Sequence, residues 1–327
     1  MTLDEVRIFL GKDWEDTDEL IRSSLKSDIG LLDSTNAAIL SHSGKRLRPM
    51  IALLVARACS GGAANSDTIR FAAASELLHN ATLLHDDVAD GSSERRGVPT
   101  VMTLLGSSAS VLIGDYWLVR AMENILAASS GGDNVIRIFS KTLSRLAEGE
   151  MLQLQKASSG DTDESDYLRI IYSKTASLFE TAAVSAAISV NAGKDWIESV
   201  RDYAVSLGIA FQIKDDIFDY SDGQGIGKPV GIDLEEQKIT LPLLGALRSV
   251  SAEEAAEVRQ KVVGIHEHPE HKEEIAAFVR RNGGVEYAVS VLDEYVAKAV
   301  SALSVLPESK EKEYLAGIAG FTAYRKS

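Results

Sequence analysis

Two groups of aspartates in the sequence have the same spacing, which is suited to binding divalent cations. The D-D-x-x-D pattern occurs at Asp86, Asp87 and Asp90 and again at Asp215, Asp216 and Asp219. Positions i and i+4 share one face of a helix, so Asp86 and Asp90 project side by side. Carboxylates this close repel one another unless a cation lies between them, and oxygen ligands suit Mg²⁺ completed by waters and phosphates. One such group is typical of a solvated acidic helix end, but its repetition favours binding of about three divalent cations that a diphosphate would bridge.

Basic residues near the predicted helix ends and loops complement these carboxylates. They are Lys45, Arg48, Arg95, Arg96, Lys174, Lys228 and Lys238. Arginine can bind phosphate oxygens through two parallel hydrogen bonds, whereas lysine contributes a point charge. Each alone is typical of a solvated surface cation. Together with two carboxylate groups they predict two separate diphosphate sites.

The histidines allow other interpretations. Glu76 and His79 form Glu-x-x-His, which is typical of di-iron bundles, but that fold needs a second copy and the sequence contains none. His79 is therefore either a phosphate donor or a core histidine. For His266, His268 and His271 of the HEHPEH segment, exposure to solvent is favoured over metal binding.

The elements that must position these residues are helices. Apolar residues recur at helical spacing through most of the chain, and the helical runs Phe71–Asp90 and Val200–Tyr220 each end at an aspartate group. The ranges 91–100 and 221–240 are predicted to be loops, and no hairpin pattern is evident. The periodicity predicts a large all-α bundle with a single domain over residues 1–327.

Composition excludes several classes of function. Among 327 residues the net charge is −14, which argues against nucleic acid as a partner. The single cysteine, Cys59, lies in an apolar run and is expected to be buried, so no disulfide can form within the chain. The sequence has neither the pattern of a signal peptide nor an apolar run long enough to span a membrane. A cytoplasmic location is expected.

Several motifs together resemble those of the trans-type polyprenyl diphosphate synthases, in particular long-chain members such as the octaprenyl diphosphate synthases. In chain order they are GKRLRP (44–49), LLHDDVAD (83–90), RRG (95–97), GEMLQL (149–154), YSKTA (172–176), FQIKDDIFDY (211–220), GKPVGIDL (227–234) and TLPLL (240–244). The resemblance implies the isoprenoid synthase type I fold, a helical bundle around a central cavity. It also implies a homodimer and about three Mg²⁺ ions with substrate bound.

The resemblance also implies a role for each matching residue. Isopentenyl diphosphate would be held by Lys45, Arg48, His79 and Arg96. The allylic diphosphate would lie on Mg²⁺ ions bound by Asp86, Asp90 and Asp215, surrounded by Arg95, Lys174, Thr175, Gln212, Lys228 and Lys238. The remaining metal ligands would be Asp87, Asp216 and Asp219. The implied reaction extends an allylic primer, farnesyl or geranylgeranyl diphosphate, to a long all-trans polyprenyl diphosphate.

Two features modify this expectation. Gln237 stands where the family commonly has glycine, which makes the role of Lys238 less secure than that of Lys228. Small residues, Ala81 and Thr82, precede Asp86 by one helical turn, where short-chain members have bulky aromatics. An open cavity floor and a long product are therefore expected. The next floor candidates are Leu78, Tyr116, Trp117 and Met122.

Two other functions remain open at this stage. A terpene cyclase would keep an aspartate group but need not keep the cations of the second diphosphate site. A non-catalytic subunit of a heteromeric synthase could lose its aspartates, whereas all six are present here.

Overall fold

The structure, a computed structural model, describes residues 1–42, 44–220 and 231–325. Its first helices are α1 (Leu3–Leu10), α2 (Lys12–Ser24), α3 (Gly30–Ser41), α4 (Leu47–Ser60), α5 (Ser66–Ala89), α6 (Val101–Leu105), α7 (Ser107–Leu126), α8 (Gly132–Ser159) and α9 (Glu164–Ile171). The others are α10 (Ser177–Ser189), α11 (Lys194–Asp219), α12 (Ile232–Glu235), α13 (Leu241–Leu247), α14 (Ala252–Val263), α15 (His271–Arg281), α16 (Gly284–Ala302) and α17 (Lys310–Tyr324). A π-helical turn, Tyr172–Ala176, joins α9 to α10, and a 3₁₀ turn, Leu303–Val305, follows α16. The all-α prediction is confirmed.

The chain divides into two compact units, each made of three segments. The first unit is Met1–Lys141, Leu178–Asp202 and Ala302–Ile318, and the second is Thr142–Ser177, Tyr203–Ser301 and Ala319–Ser327. Each unit contains one of the two aspartate groups. The single-domain expectation stays a prediction.

Helix α4 forms the centre of the first unit. Its residues from Leu47 to Cys59 are buried except Arg57, because apolar side chains occupy every face. A helix that is apolar all round can be stable in water only when surrounded by other elements. The helix stops at Gly61, whose φ of 69° is the left-handed conformation that glycine adopts most easily. Cys59 is buried, as expected.

Helix α5 carries the first aspartate group and packs along α7. It begins where the side chain of Asn65 accepts a hydrogen bond from the backbone N–H of Thr68 at 2.8 Å. Across the pair, the hydroxyl of Ser110 donates to the carbonyl oxygen of Leu84 at 2.8 Å. Asp90 is the C-terminal cap of α5, so the periodic run predicted its end to within one residue.

A short hairpin follows α5, which the loop prediction for residues 91–100 missed. Strands β1 (Glu94–Arg95) and β2 (Val98–Pro99) pair antiparallel. Arg96 and Gly97 form the turn, both with positive φ (54° and 78°), as expected for the turn of a tight hairpin. Strands of two residues are too short to show alternation in the sequence.

The core of the second unit is formed around the last two turns of α11 and helices α13 to α16. Side chains such as Ile213, Leu243 and Phe278 belong to one buried cluster. Helix α9, in this unit, begins with a capping box, in which the side chains of Asp163 and Asp166 each accept a hydrogen bond from the backbone N–H of the other residue. Within the described ranges, no helix is both long enough and apolar enough to span a bilayer.

Candidate active site

The first aspartate group lies at the C-terminal end of α5, where its members have different surroundings. Asp86 is half-buried and Asp90 is exposed. Asp87 is buried and accepts a hydrogen bond from Nε of Arg95 at 2.7 Å. Burial raises the pKa of Asp87, while the charge of Arg95 opposes that shift. The carboxylates of Asp86 and Asp90 are thus the accessible members of the group.

The positive charges of three arginines act on His79. Burial and the charges of Arg48, Arg96 and Arg95 lower the pKa of His79 well below its usual range, so the imidazole is neutral at pH 7. Burial likewise lowers the pKa of Arg48 to about 10, and the nearby charge of Arg96 lowers it further, although Glu76 opposes the shift. Cations held this close to one another are stabilised by a bound anion. The structure therefore brings together three of the four residues predicted for isopentenyl diphosphate.

Glu76 and Phe179 support this cluster, and neither was predicted to do so. Glu76 is buried, and its Oε2 has no hydrogen-bond partner among the described residues. The guanidinium carbon of Arg48 lies 4.5 Å from the centre of the Phe179 ring, a cation–π contact. Glu-x-x-His was the only sequence signal for Glu76, and there it pointed to a di-iron site.

The loop before α4 has a tight contact with Arg96. A Cβ on Gly44 would lie 2.7 Å from the Arg96 guanidinium carbon, so a larger residue at this position would require the Arg96 side chain to move. Arg46, two residues later, pairs with Asp18 of α2 instead. The backbone carbonyl of Lys45 accepts a hydrogen bond from Arg7 at 3.2 Å.

The second aspartate group lies in the last turn of α11, and each member has a defined partner. Asp215 accepts a hydrogen bond from Arg325 at 2.9 Å. Asp216 accepts hydrogen bonds from the Tyr167 hydroxyl at 2.6 Å and the Gln212 amide at 2.9 Å. Gln212 lies in the motif FQIKDDIFDY, whereas Tyr167 and Arg325 lie outside all of the motifs.

Asp219 is held by the backbone that begins α12. It accepts hydrogen bonds from the N–H groups of Gly231, Ile232 and Asp233 at 2.9, 3.0 and 3.1 Å. Burial raises the pKa of Asp219 despite these bonds. Burial also raises the pKa of Asp216 to about 7, and the pKa of Asp233 rises because of burial and the adjacent carboxylates. Asp233 is thus a fourth carboxylate beside the second aspartate group. It lies in the motif GKPVGIDL, but the sequence predicted no role for it.

Five of the predicted substrate-binding and catalytic residues line one small pocket of about 130 Å³ in the second unit. They are Lys174, Thr175, Gln212, Asp216 and Lys238. The hydroxyl of Thr175 donates to the Gln212 side-chain oxygen at 2.9 Å, and Lys174 pairs with Glu150 of α8. Lys174 and Thr175 belong to the π-helical turn, and such turns occur frequently at functional sites.

In the segment before α13, the backbone at position 237 has a conformation that favours glycine. Gln237 has φ 58°, a left-handed conformation that costs about 1 kcal/mol or more for a residue with a Cβ. Its side chain donates to the carbonyl oxygen of Val263, which offsets part of that cost. Lys238 pairs with Glu236 and still lines the pocket. Lys228 lies outside the described residues.

The donor chemistry of both aspartate groups fits Mg²⁺. All donors are carboxylate oxygens, which hard divalent cations prefer, and no histidine or cysteine competes within the groups. Asp86, Asp90 and Asp215 are each at least partly accessible. Asp87, Asp216 and Asp219 make hydrogen bonds within the protein, and these hold the carboxylates in position.

The residues expected to set product length differ in accessibility. Ala81 and Leu78 are buried, whereas Thr82 is half-buried and donates to the carbonyl oxygen of His79 at 2.8 Å. Trp117 is buried and its indole N–H donates to Asn36 at 2.8 Å. Among Leu78, Ala81 and Thr82, only Thr82 is already partly accessible, and Tyr116 and Met122 of α7 are half-buried as well.

Comparison with known proteins extends these observations. The family model described as polyprenyl synthetase matches residues 30–280. An octaprenyl diphosphate synthase of Haemophilus influenzae is 39% identical over 320 residues, covering 98% of this chain and 96% of the relative. An all-trans-nonaprenyl-diphosphate synthase (geranyl-diphosphate specific) of Rhodobacter capsulatus is 37% identical over 313 residues, 94% of each chain. A solved polyprenyl synthase of Caulobacter crescentus, complexed with calcium and isoprenyl diphosphate, has a TM-score of 0.91 at 33% identity, covering 100% of this chain and 98% of that one.

The matched range contains both aspartate groups and the arginines around His79. The structural likeness covers the whole chain, so the fold is the all-α isoprenoid synthase fold. The chain belongs to the polyprenyl synthetase family and is a prenyltransferase of the polyprenyl diphosphate synthase type.

Proposed function

We propose that the protein condenses isopentenyl diphosphate with an allylic primer, farnesyl or geranylgeranyl diphosphate, to make a long-chain all-trans polyprenyl diphosphate. The observation that carries this proposal is the cluster of Arg48, Arg95 and Arg96 around a neutral His79. An enzyme that only ionises one diphosphate needs the aspartates but not a second cationic site. The cluster therefore favours a two-substrate condensation over a terpene cyclase.

The cationic cluster is proposed to hold isopentenyl diphosphate. Arg48 and Arg96 neutralise its charge, and His79, which is uncharged, donates a hydrogen bond through one ring nitrogen. In the absence of substrate, the negative charge of Glu76 limits the repulsion between the arginines. Lys45 adds a further positive charge from the loop before α4.

The aspartate groups are proposed to hold the allylic diphosphate. Mg²⁺ on Asp86, Asp90 and Asp215, about three ions in all, would neutralise the diphosphate as the carbon–oxygen bond breaks. Lys174 and Lys238 stabilise the departing charge from the pocket of the second unit. The double bond of isopentenyl diphosphate then attacks the allylic cation, and a proton is lost to the departing diphosphate. An apolar cavity around the allylic cation would exclude water from it.

A direct test is incubation of the pure protein with Mg²⁺, isopentenyl diphosphate and farnesyl or geranylgeranyl diphosphate. Elongated linear diphosphates, resolved by chromatography, are expected. Asp86→Ala and Asp215→Ala are expected to lower turnover by orders of magnitude with the fold intact. A cyclised hydrocarbon would indicate a cyclase instead. Turnover only after addition of a second protein would indicate a subunit of a heteromeric synthase.

The small residues before Asp86 are proposed to permit a long product. A phenylalanine in place of Ala81 is expected to shorten the product, because a bulky ring would close the cavity floor. Ala81 is packed on all sides, so Thr82→Phe is the second variant, at a position that is accessible already. The product ladder of each variant, made with radiolabelled isopentenyl diphosphate, should end earlier than that of the unaltered protein. An unchanged ladder in both variants would contradict this role.

A homodimer is also proposed, and an exposed apolar face of α7 supports it. Leu112, Val119 and Leu126 are 67%, 54% and 62% exposed. Their spacing of seven residues, close to two helical turns, puts them on one face. Large apolar side chains aligned in this way are typical of a surface that another chain covers.

A further inference from the structure

We propose that His268, Glu270 and His271 form a binding site for a transition-metal ion of the zinc class, separate from the aspartate groups. His268 and Glu270 lie in the turn between α14 and α15, and His271 is the first residue of α15. Each offers one ligand atom, and these atoms all lie within 4.8 Å of one another. The prediction of exposure is confirmed for His266 and His268, while His271 is half-buried.

The side chains need only small movements to reach ligand geometry. Ligands around tetrahedral Zn²⁺, with bonds of about 2.0–2.1 Å, are roughly 3.4 Å apart. Nδ1 of His268 already lies 3.2 Å from Oε1 of Glu270, and the two histidine rings have centroids 5.1 Å apart. Nδ1 of His271 is shielded from solvent and has no hydrogen-bond partner among the described residues. The remaining gaps are closed by rotation about side-chain bonds.

The backbone holds the three residues in one short turn. The N–H of His268 donates to the carbonyl oxygen of Gly264 at 3.0 Å, and the N–H of His271 donates to that of His268 at 3.0 Å. Pro269 fixes one further dihedral angle between them. Because little backbone entropy is lost on binding, three protein ligands are enough for measurable affinity.

The chemistry of the donors selects the metal. Two imidazole nitrogens and one carboxylate favour Zn²⁺ and similar ions over Mg²⁺, which prefers oxygen ligands. The surrounding charge also favours a cation, since residues 264–274 contain four glutamates and a single lysine. That lysine, Lys272, pairs with Glu235 of α12 and is thereby partly neutralised.

The turn is joined to the segment that holds the second aspartate group. A ring nitrogen of His266 lies 2.8 Å from the carbonyl oxygen of Glu235, and Lys272 pairs with the same residue. Helix α12 supplies backbone N–H groups to Asp219. A metal bound in the turn would therefore stiffen α12 from outside the catalytic site.

The test uses Co²⁺ as a spectroscopic probe for the zinc class, added to the untagged full chain in excess Mg²⁺. Co²⁺ at a site with two nitrogens and tetrahedral geometry absorbs strongly in the visible range, whereas octahedral oxygen sites absorb weakly. We expect one equivalent to produce the strong band and Zn²⁺ to abolish it. His268→Gln and His271→Gln should each weaken binding at least tenfold.

The matched control is His266→Gln, which removes a histidine from the same turn but not from the site, and it should bind Co²⁺ as the unaltered protein does. Circular dichroism checks that each variant is folded. Zn²⁺ should also slow hydrogen exchange in residues 231–238 of the unaltered protein but not of His271→Gln. A weak band only, or a strong band that survives both site substitutions, would overturn the site. Unchanged exchange in 231–238 despite binding would overturn its link to α12.

Discussion

Arg46 and Arg48 are two residues apart, yet their surroundings give them different roles. Arg46 pairs with Asp18 of α2, so its charge is satisfied within the protein. Arg48 is buried against Phe179, and its Nε has no hydrogen-bond partner among the described residues. A buried guanidinium is costly unless an anion completes it. In the proposed function, the diphosphate of isopentenyl diphosphate would supply that anion.

We therefore expect Arg48→Gln to raise the KM for isopentenyl diphosphate about 10- to 100-fold, since a charge-assisted hydrogen bond contributes about 1.5–3 kcal/mol. The KM for the allylic primer should change much less. Steady-state kinetics with each substrate varied in turn measures both. Arg46→Gln is the control and should leave both values nearly unchanged. Equal effects of the two substitutions would contradict the distinction.

His79 should make the stability of the protein depend on pH. Burial and the charges of Arg48, Arg96 and Arg95 lower its pKa well below the ordinary value of 6.5. Below pH 6.5 the unfolded chain therefore binds a proton more readily than the folded one. The contribution of the neutral ring to the free energy of unfolding is fully present above pH 6.5 and is lost as the pH falls.

Urea unfolding of the unaltered protein and of His79→Gln between pH 5 and pH 8 measures this effect. The advantage of the unaltered protein over the variant should shrink as the pH is lowered through 6.5. Asp216 has the opposite influence, because its raised pKa of about 7 means that stability is lost as the pH rises toward that value. That influence is common to both proteins and cancels in the difference. A difference independent of pH would refute the role given to His79.

Sequence patterns predicted residues for substrate contact, but they did not predict the residues that hold those side chains in place. The aspartates and the YSKTA lysine were predictable because their types and spacing are themselves chemical requirements. Tyr167, Glu150 and Arg325 were not, since each reaches its partner only through the tertiary fold, 49, 24 and 110 positions away. No local pattern in the sequence records such pairings.

At the scale of elements, the π-helical turn depends on a close approach by α8. A Cβ on Gly149 would lie 2.6 Å from Cβ of Ser173 and 3.1 Å from Cγ of Lys174. Glycine at this helical position allows the turn that presents Lys174 to pack directly against α8. The sequence motif GEMLQL contained this glycine, but periodicity alone gave it no role.

Gly149→Ala should destabilise the protein by about 1–3 kcal/mol, despite the better helix propensity of alanine, because the added methyl group overpacks the contact. Turnover should fall as well, since Lys174 is displaced. Gly320→Ala is a matched control in α17, where a Cβ would meet nothing within 4 Å. That variant should be stabilised by up to about 1 kcal/mol. Chemical unfolding of both variants tests the contrast, which would fail if both gained stability.

Glycine and proline mark helix ends at two positions of the structure. Gly106, with φ 87°, separates α6 from α7, and a break near Pro307 precedes α17. Gly114 lies inside α7, and the helix continues through it; the ring of His85 packs against this position and leaves no room for a Cβ. A glycine inside a helix can thus serve packing rather than interruption.

At the scale of the whole molecule, the exposed face of α7 is expected to mediate self-association. Replacing both Leu112 and Leu126 by Asp would place two charges in the proposed interface and should convert a dimer into a monomer. Sedimentation equilibrium measures the mass directly. Ile8→Asp, at a side chain that is 80% exposed on α1, is the control and should leave the mass unchanged. A dimer that survives the double substitution would place the interface elsewhere.

The burial of the chain's one cysteine has a practical consequence. Burial raises the pKa of Cys59 to about 11, so at neutral pH only about one molecule in ten thousand carries the reactive thiolate. A thiol reagent should therefore react slowly with Cys59 in the folded protein, where this side chain is only 9% exposed. An increase in the rate of labelling would report opening of the first unit around α4, at a native residue and without an engineered cysteine. Slow labelling of Cys59 also keeps background labelling low when a surface cysteine is introduced by mutation.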